Sequence, residues 1–438
     1  MMEPKLDWSD YENEGQGDAY ADIPKTGGNF AKAVAVCINS MVCLRPVNKS
    51  VMCPSFRVRQ DAAFSPGGRS RLLKRSLNGE ITEEEKRLLD ESMSACIGCK
   101  GCKRECETGL DISAIRAEYL AKSLSDRPFL TRDILFANLP KLLEYPKLLR
   151  FLFKTRNKSG FISRIIEKGL GISTKVQLPL PSASQITKDL LLTAPEITDK
   201  TIVLLADSFT KGFSPQVIAA AYDILDKAGY DVRLIGQKTA IIEGRTWFSA
   251  GLIEASKDKA SQLLSQLQPY VEQSIPVLGL EPSSTLMIRD EYKLLGLGKE
   301  SQKLSDNTFL FEEFLAREIS TGRFNLRFTP TQDHLLIHGH CHQKAVGAMK
   351  SVRKILKLIP DLNFEFIDSS CCGGGGSFAY EVEHQPDSEK MFNLTLKEVL
   401  ENNENAVIIA NGFSCKSQIK QYSNRNTMHL AEFLQRLI

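Results

Sequence analysis

No apolar run in this 438-residue chain reaches the ~18–20 residues that a membrane span needs. The start lacks the basic segment and apolar core of a signal peptide; residues 3–22 are acidic instead. Charge of one sign is not in excess: the formal net charge is +3, so nothing calls for nucleic acid as a partner. The glycine run Gly373-Gly374-Gly375-Gly376 is not followed by the Lys-Ser/Thr of a phosphate-binding loop. What remains is the composition of a soluble globular protein, 42% hydrophobic and 25% charged, long enough for two to four domains. Cysteines cluster without a secretory signal. That points to a reducing compartment, the cytoplasm, and to metal ligation in place of disulfides.

The chain has 11 cysteines, and seven of them (Cys37, Cys43, Cys53, Cys96, Cys99, Cys102, Cys106) fall between residues 37 and 106. The last four form a C-x2-C-x2-C-x3-C run. Three thiolates at this spacing wrap one side of an iron–sulfur cube, and in two-cluster ferredoxins the fourth ligates the other cube. Cys37, Cys43 and the pair Cys53-Pro54 supply a second set. Zinc and unliganded thiols are the alternatives; a zinc site prefers two separated pairs over four cysteines in eleven residues.

Local signals place helices around both cysteine loops. Ser65-Pro66 reads as an N-cap and first helical position, with a stop near Asn78-Gly79. Thr82 and Glu85 form a capping-box pattern, and Asp111 caps a helix carrying Ile112, Ile115 and Tyr119. Residues 1–30 read as an acidic, mobile arm suited to docking on a partner. Residues 127–154 are helical, apolar and basic, with Leu148, Leu149, Phe151 and Phe153 among Lys141, Lys147, Arg150 and Lys154. Such a segment suits a membrane surface, a partner protein, or packing on its own protein with a solvated charged face. Proline-rich residues 176–200 read as a linker. Beyond it, short apolar strands alternate with helices, which predicts parallel sheets covered on both faces.

In the last third, Cys341 follows one predicted strand, Cys371 and Cys372 the next, and Cys415 a third. Ligands of open α/β sheets sit outside the carboxyl ends of the strands, so four thiolates would converge on one crevice. The glycines after Cys372 let backbone approach a bulky cluster. Chance placement of structural cysteines is the alternative. His340 and His342 flank Cys341 and read as ligands, proton carriers or structure.

These residues together resemble the iron–sulfur electron-transfer subunit of bacterial flavin-dependent 2-hydroxy-acid oxidoreductases, of the glycolate oxidase and D-lactate dehydrogenase type. The resemblance is carried by Val51-Met52-Cys53-Pro54-Ser55-Phe56, residues 96–106, Gly279-Leu280-Glu281-Pro282-Ser283, His338-Gly339-His340-Cys341-His342-Gln343-Lys344-Ala345, residues 371–380 and Asn411-Gly412-Phe413-Ser414-Cys415. These segments span most of residues 31–430. The last third is similar to the cysteine-rich CCG domain also found in heterodisulfide reductases.

The resemblance implies an all-α di-cluster ferredoxin-like module (31–126), a helical segment and linker (127–196), and two repeated α/β CCG-type domains with mainly parallel sheets (197–326 and 327–438). By its ligand rule, Cys53 completes a [4Fe–4S] cluster with Cys96, Cys99 and Cys102. Cys37, Cys43 and Cys106 remain for a second cluster, one thiolate short because Ser40 stands where relatives have cysteine. A [3Fe–4S] or labile [4Fe–4S] cluster is the expectation there. Cys341, Cys371, Cys372 and Cys415 would hold a further cluster. In the first α/β copy Glu243 and Ser284 take the places of Cys372 and Cys415, at 41 residues' separation against 43, so that copy is expected to be structural. No residue of this chain is expected to act on the organic substrate. FAD would lie on a partner dehydrogenase subunit, because no room for it precedes residue 37, and electrons would leave to quinone or another acceptor. The implied location is cytoplasmic or peripheral on the inner face of the cell membrane. The alternatives are a heterodisulfide-reductase-like redox subunit, weakened by Gln418 where a fifth cysteine would stand, and a cluster-based redox sensor.

Overall fold

The protein is described from a computed structural model covering residues 4–16, 21–45, 50–124, 130–184 and 197–438. The linker's residues 185–196 and the expected boundary at 126/127 lie outside the described residues.

Residues 28–122 are helical throughout their regular structure. The helix Pro66–Asn78 starts where Ser65 accepts from the Gly68 amide at 3.0 Å, which satisfies one orphan N–H of its first turn. Thr82 and Glu85 close a reciprocal capping box on Glu83–Ser94, and Asp111 caps Ile112–Lys122. The expected mobile arm is docked instead. Leu6 and Trp8 are buried, and the fully buried Glu118 carboxylate accepts from the Lys5 and Leu6 amides and from the Trp8 indole. The Asp7 amide donates to the Leu294 carbonyl, so the arm fastens the helical module to the domain beyond it. Two apolar side chains and a buried carboxylate in need of donors outweigh the acidic composition.

Residues 130–170 form helices Leu130–Ala137, Leu139–Leu142, Pro146–Lys158 and Gly160–Leu170, divided where Pro140 and Pro146 sit in the first turn of a new helix. Two parallel sheets follow. The first contains β1 (Thr201–Leu205), β2 (Asp231–Ile235), β3 (Val277–Gly279) and β4 (Thr308–Leu310), in the order β2-β1-β3-β4. The second contains β5 (His334–Ile337), β6 (Asn363–Phe366) and β7 (Val407–Ile409), in the order β6-β5-β7. All pairings are parallel, and the second order repeats the first three positions of the first.

The period of two in β1 divides it between two cores. Val203 and Leu205 face a core shared with the helical module, including Cys53, Cys102, Met93 and Ile115. Ile202 and Leu204 face a core shared with Leu335, Ile337 and Ile409 of the second sheet. A division at 326/327 therefore separates two sheets and cuts through one core. On the far side of the second sheet, Leu336 and Ile408 join Cys99, Cys341, Cys371, Cys372 and Cys415 in a third apolar cluster. The module's cysteine loop thus reaches the last domain.

Candidate metal centres and the cavity between them

The N-terminal cysteines fall into two groups. Cys53, Cys96, Cys99 and Cys102 line one cavity with Pro66, Arg69 and Ile112. Cys37, Cys43 and Cys106 line another with Ser40, Pro66 and Gly67. The loops close on each other at Gly101, where a Cβ would stand 2.6 Å from the Val51 carbonyl oxygen. Glu105 ties the same contact, accepting from the Val51 and Met52 amides at 2.9 and 3.0 Å. That clamp sets Cys53, in a left-handed conformation, against the residue 96–106 loop.

The donor sets fit iron–sulfur groups. A Cβ on Gly67 would lie 3.3 Å from Cys43 Sγ and 3.7 Å from Cys37 Sγ, so glycine keeps that space clear between sulfurs. Burial pushes the Cys53, Cys99 and Cys102 thiols up, and neighbouring cysteines add to this. Without a metal such thiols stay protonated, and metal binding is what converts them to thiolates. Arg69 is fully buried against this group, with one Nη 3.5 Å from Cys53 Sγ. Its Nε donates to the Ser92 carbonyl at 2.7 Å, and its Nη2 has no hydrogen-bond partner among the described residues. A buried cation is tolerated where negative charge compensates it.

The last four cysteines also converge. Cys372 and Cys415 sulfurs are 3.6 Å apart, and Cys341 and Cys371 adjoin them. The Gly373 and Gly374 amides point at Cys371 and Cys372 Sγ, each at 3.4 Å. His338, at the end of β5, lies with Cys372 and Cys415 so that their ligand atoms are all within 4.8 Å of one another. Its Nε2 is buried without a hydrogen-bond partner among the described residues, while Nδ1 meets Ser369 Oγ at 3.1 Å. His340 Nδ1 accepts from the His342 amide and caps the helix Cys341–Ala345. His342 Nε2 donates to the Gly98 carbonyl at 2.9 Å, joining this site to the residue 96–106 loop. Burial holds His340 down to about 4 and His342 well below its ordinary value, so both are neutral near pH 7.

In the first α/β copy the matching place is filled by acids. Asp207, Glu243, Glu281 and Ser284 are all buried at the carboxyl ends of β1, β2 and β3. Burial, with Asp207 alongside, raises both Glu243 and Glu281 to about 7. Glu281 Oε2 also accepts from the Phe413 amide at 2.7 Å, linking the copy to the Cys415 loop.

A cavity of about 210 Å³ joins these parts, against about 20 and 30 Å³ for the two cavities in the module. It is bounded by Cys96, the four late cysteines, Arg245 and Glu281, and extends along Phe209, Phe213 and Phe413 to Phe153 and Leu178. Phe213 and Phe413 pack against each other, tilted by 33°, with centroids 4.3 Å apart. Pro66 borders both module cavities, Cys96 and Gly98 border the Cys53 group's cavity and the large one, and no residue borders the Cys37 group's cavity and the large one. The three cysteine groups therefore run in sequence, from the half-exposed Cys37 group inward. Sequence patterns did not single out Arg69, His338 and Glu281 as site residues. For Glu281 and His338 the Gly279–Ser283 and His338–Ala345 motifs were usable signals; for Arg69 only three-dimensional proximity reveals the role.

Comparison with known proteins agrees with this composition. Residues 33–110 match the 4Fe-4S dicluster domain model, and residues 335–420 match the cysteine-rich domain model. D-2-hydroxyglutarate dehydrogenase of Escherichia coli (strain K12) is 22% identical over 457 residues, covering 92% of this chain and 43% of its own length. The glycolate oxidase iron-sulfur subunit of the same organism is 22% identical over 408 residues, 88% of this chain and 91% of its own. One subunit of the anaerobic glycerol-3-phosphate dehydrogenase of that organism is 23% identical over 216 residues, 49% of this chain and 53% of its own. The chain thus spans less than half the length of the D-2-hydroxyglutarate dehydrogenases it matches. No solved structure matches. No helix among the described residues is long and apolar enough to cross a membrane.

Proposed function

We propose that this chain, built from a 4Fe-4S dicluster domain and a cysteine-rich domain, carries electrons from an FAD-containing dehydrogenase subunit to a quinone or another acceptor. The donor substrate would be a 2-hydroxy acid of the glycolate or D-lactate type; relatives are named for D-2-hydroxyglutarate, glycolate and glycerol-3-phosphate. The observation that carries this reading is the series of three cysteine groups from the protein surface to an aromatic-lined cavity.

Electrons would arrive at the Cys37, Cys43 and Cys106 group, whose loop exposes Ile38, Met41 and Val42 as an apolar rim for the flavin subunit. They would pass to the Cys53, Cys96, Cys99 and Cys102 group, held beside Arg69. His342 fixes that group's loop against the Cys341, Cys371, Cys372 and Cys415 group. Iron–sulfur clusters, when bound, supply one-electron carriers; the chain supplies spacing, burial and hydrogen bonds to sulfur. The large cavity would receive the acceptor, and a peripheral position on the inner face of the cell membrane suits a quinone.

Anaerobic purification with iron and sulfide counts, EPR, and identification of the co-purifying flavoprotein tests the reading. A 2-hydroxy acid should reduce the clusters only when that flavoprotein is present. Reduction by a dithiol without any flavoprotein would favour the disulfide-active alternative.

A further inference from the structure

Half of the large apolar side chains exposed among the described residues, eight of sixteen, fall between Ile134 and Ile165. On the helix Pro146–Lys158, Leu148, Phe151 and Leu152 are exposed at i, i+3 and i+4, while Leu149 and Arg156 face the protein. On Gly160–Leu170, Phe161 (74% exposed) and Ile165 (56%) form a second stripe, and Ser163 faces inward. The packed side of the hairpin meets the expectation of a helix resting on its own protein. Its outer side does not, because it is apolar where a solvated charged face was the expectation.

Lys147, Lys154, Lys158, Arg164 and Lys168 are exposed around these stripes, and none forms an ion pair among the described residues. The acids of residues 141–170, Glu144 and Glu167, are engaged elsewhere: Glu144 accepts from the Ala240 amide at 2.9 Å and Glu167 from the Thr174 amide at 2.5 Å. Large apolar side chains and unpaired cations therefore alternate on consecutive turns. A protein interface excludes lysine from its core and places rim lysines opposite carboxylates. A lipid interface accepts the alternation, since lysine stems lie along the apolar layer while the ammonium reaches the phosphates.

We propose that the hairpin of residues 145–168 is a docking surface for an anionic lipid bilayer. Its apolar stripes seat in the boundary between headgroups and acyl chains, and its lysines and Arg164 contact lipid phosphates. The same helix contributes Phe153 to the wall of the large cavity, which would bring that cavity's rim to the membrane. This deepens the peripheral location proposed above, and it does not depend on the electron relay, because no cysteine lies in the hairpin.

Co-sedimentation of the full, cluster-loaded chain with vesicles tests it. Binding should be at least about tenfold tighter to phosphatidylglycerol-containing vesicles than to phosphatidylcholine alone, and should weaken as salt is raised. The double variant Phe151→Asp/Phe161→Asp should lose at least about tenfold of that binding at unchanged iron content. A second variant, Lys154→Glu/Lys158→Glu/Lys168→Glu, should abolish the preference for anionic lipid even if the first fails to fold. Equal binding to both vesicle types, or no effect of a folded Asp variant, overturns the proposal. So does a variant that keeps vesicle binding but loses the flavoprotein, which would make this face a protein interface. Cluster reduction by the flavoprotein, measured in vesicle-free solution, reads the relay separately and should be unchanged in both variants.

Discussion

Replacing Arg69 by methionine should lower the midpoint potential of a cluster held by Cys53, Cys96, Cys99 and Cys102 by roughly 120 mV. The guanidinium is fully buried with one Nη 3.5 Å from Cys53 Sγ. Burial alone would push its pKa down, yet it stands above its ordinary value because the sulfurs of Cys96 and Cys53 face it. Adding about 2.3 Å from sulfur to metal puts the cation about 6 Å from the nearest metal atom. At an effective dielectric of about 20, Coulomb's law gives about 2.8 kcal/mol for one electron's charge at that distance. That is about two tenfold steps in a one-electron equilibrium, or roughly 120 mV. The sign follows from charge: a cation favours the reduced, more negative state, so its removal makes reduction harder. EPR-monitored redox titration of Arg69→Met and Arg69→Lys would measure this, with iron and sulfide counts to establish equal loading. The lysine variant keeps the charge and should shift by less than half as much. A fully loaded Arg69→Met protein whose potential moves by less than about 30 mV, or rises, would refute the reasoning.

Cys99→Ser should remove the EPR signal of that cluster and lower the melting temperature of the helical module, because metal binding is part of its folding free energy; unchanged iron content would contradict the ligand assignment. Ser40 lines the cavity of Cys37, Cys43 and Cys106, where a neutral hydroxyl must ionise before it can bind iron. A three-iron or labile four-iron cluster is expected there, and Ser40→Cys should yield a stable four-iron cluster of lower potential. If the natural protein, purified without oxygen, already has a stable four-iron cluster that Ser40→Ala leaves untouched, another group is the ligand. Glu243, raised by burial and by Asp207 to about 7 and facing Ser284 and Arg245, binds more protons folded than unfolded between about pH 4.5 and 7. Its contribution is therefore fully present below about pH 4.5 and is lost as pH rises through about 7. Glu243→Gln should flatten the fall in melting temperature across that window, by up to about 3 kcal/mol of stability. An unchanged slope would mean that Glu243 does not titrate there.

The sequence by itself determined whatever rests on a few neighbouring residues. Ser65-Pro66, Thr82 with Glu85, and Asp111 fix helix starts because capping involves side chains and amides within three positions. Cysteine spacing identified the iron–sulfur module, and the strands expected ahead of Cys341, Cys371 and Cys415 are β5, β6 and β7. Strand β4 is masked in the sequence because Thr308–Leu310 runs straight into the helix Phe311–Ser320, whose apolar residues continue its own. Tertiary structure alone decided the rest. The acidic arm is held by Trp8, Leu6 and the remote Glu118, and the two sheets share one core that takes Ile202 and Leu204 from the first and Leu335 and Ile337 from the second. It also decided that Arg69 meets Cys53, that His338 meets Cys372 and Cys415, and which face of the 146–158 helix stays bare. Local chemistry sets where an element begins. What each side chain then touches depends on desolvation and packing against residues hundreds of positions away, and no short window of sequence contains those partners.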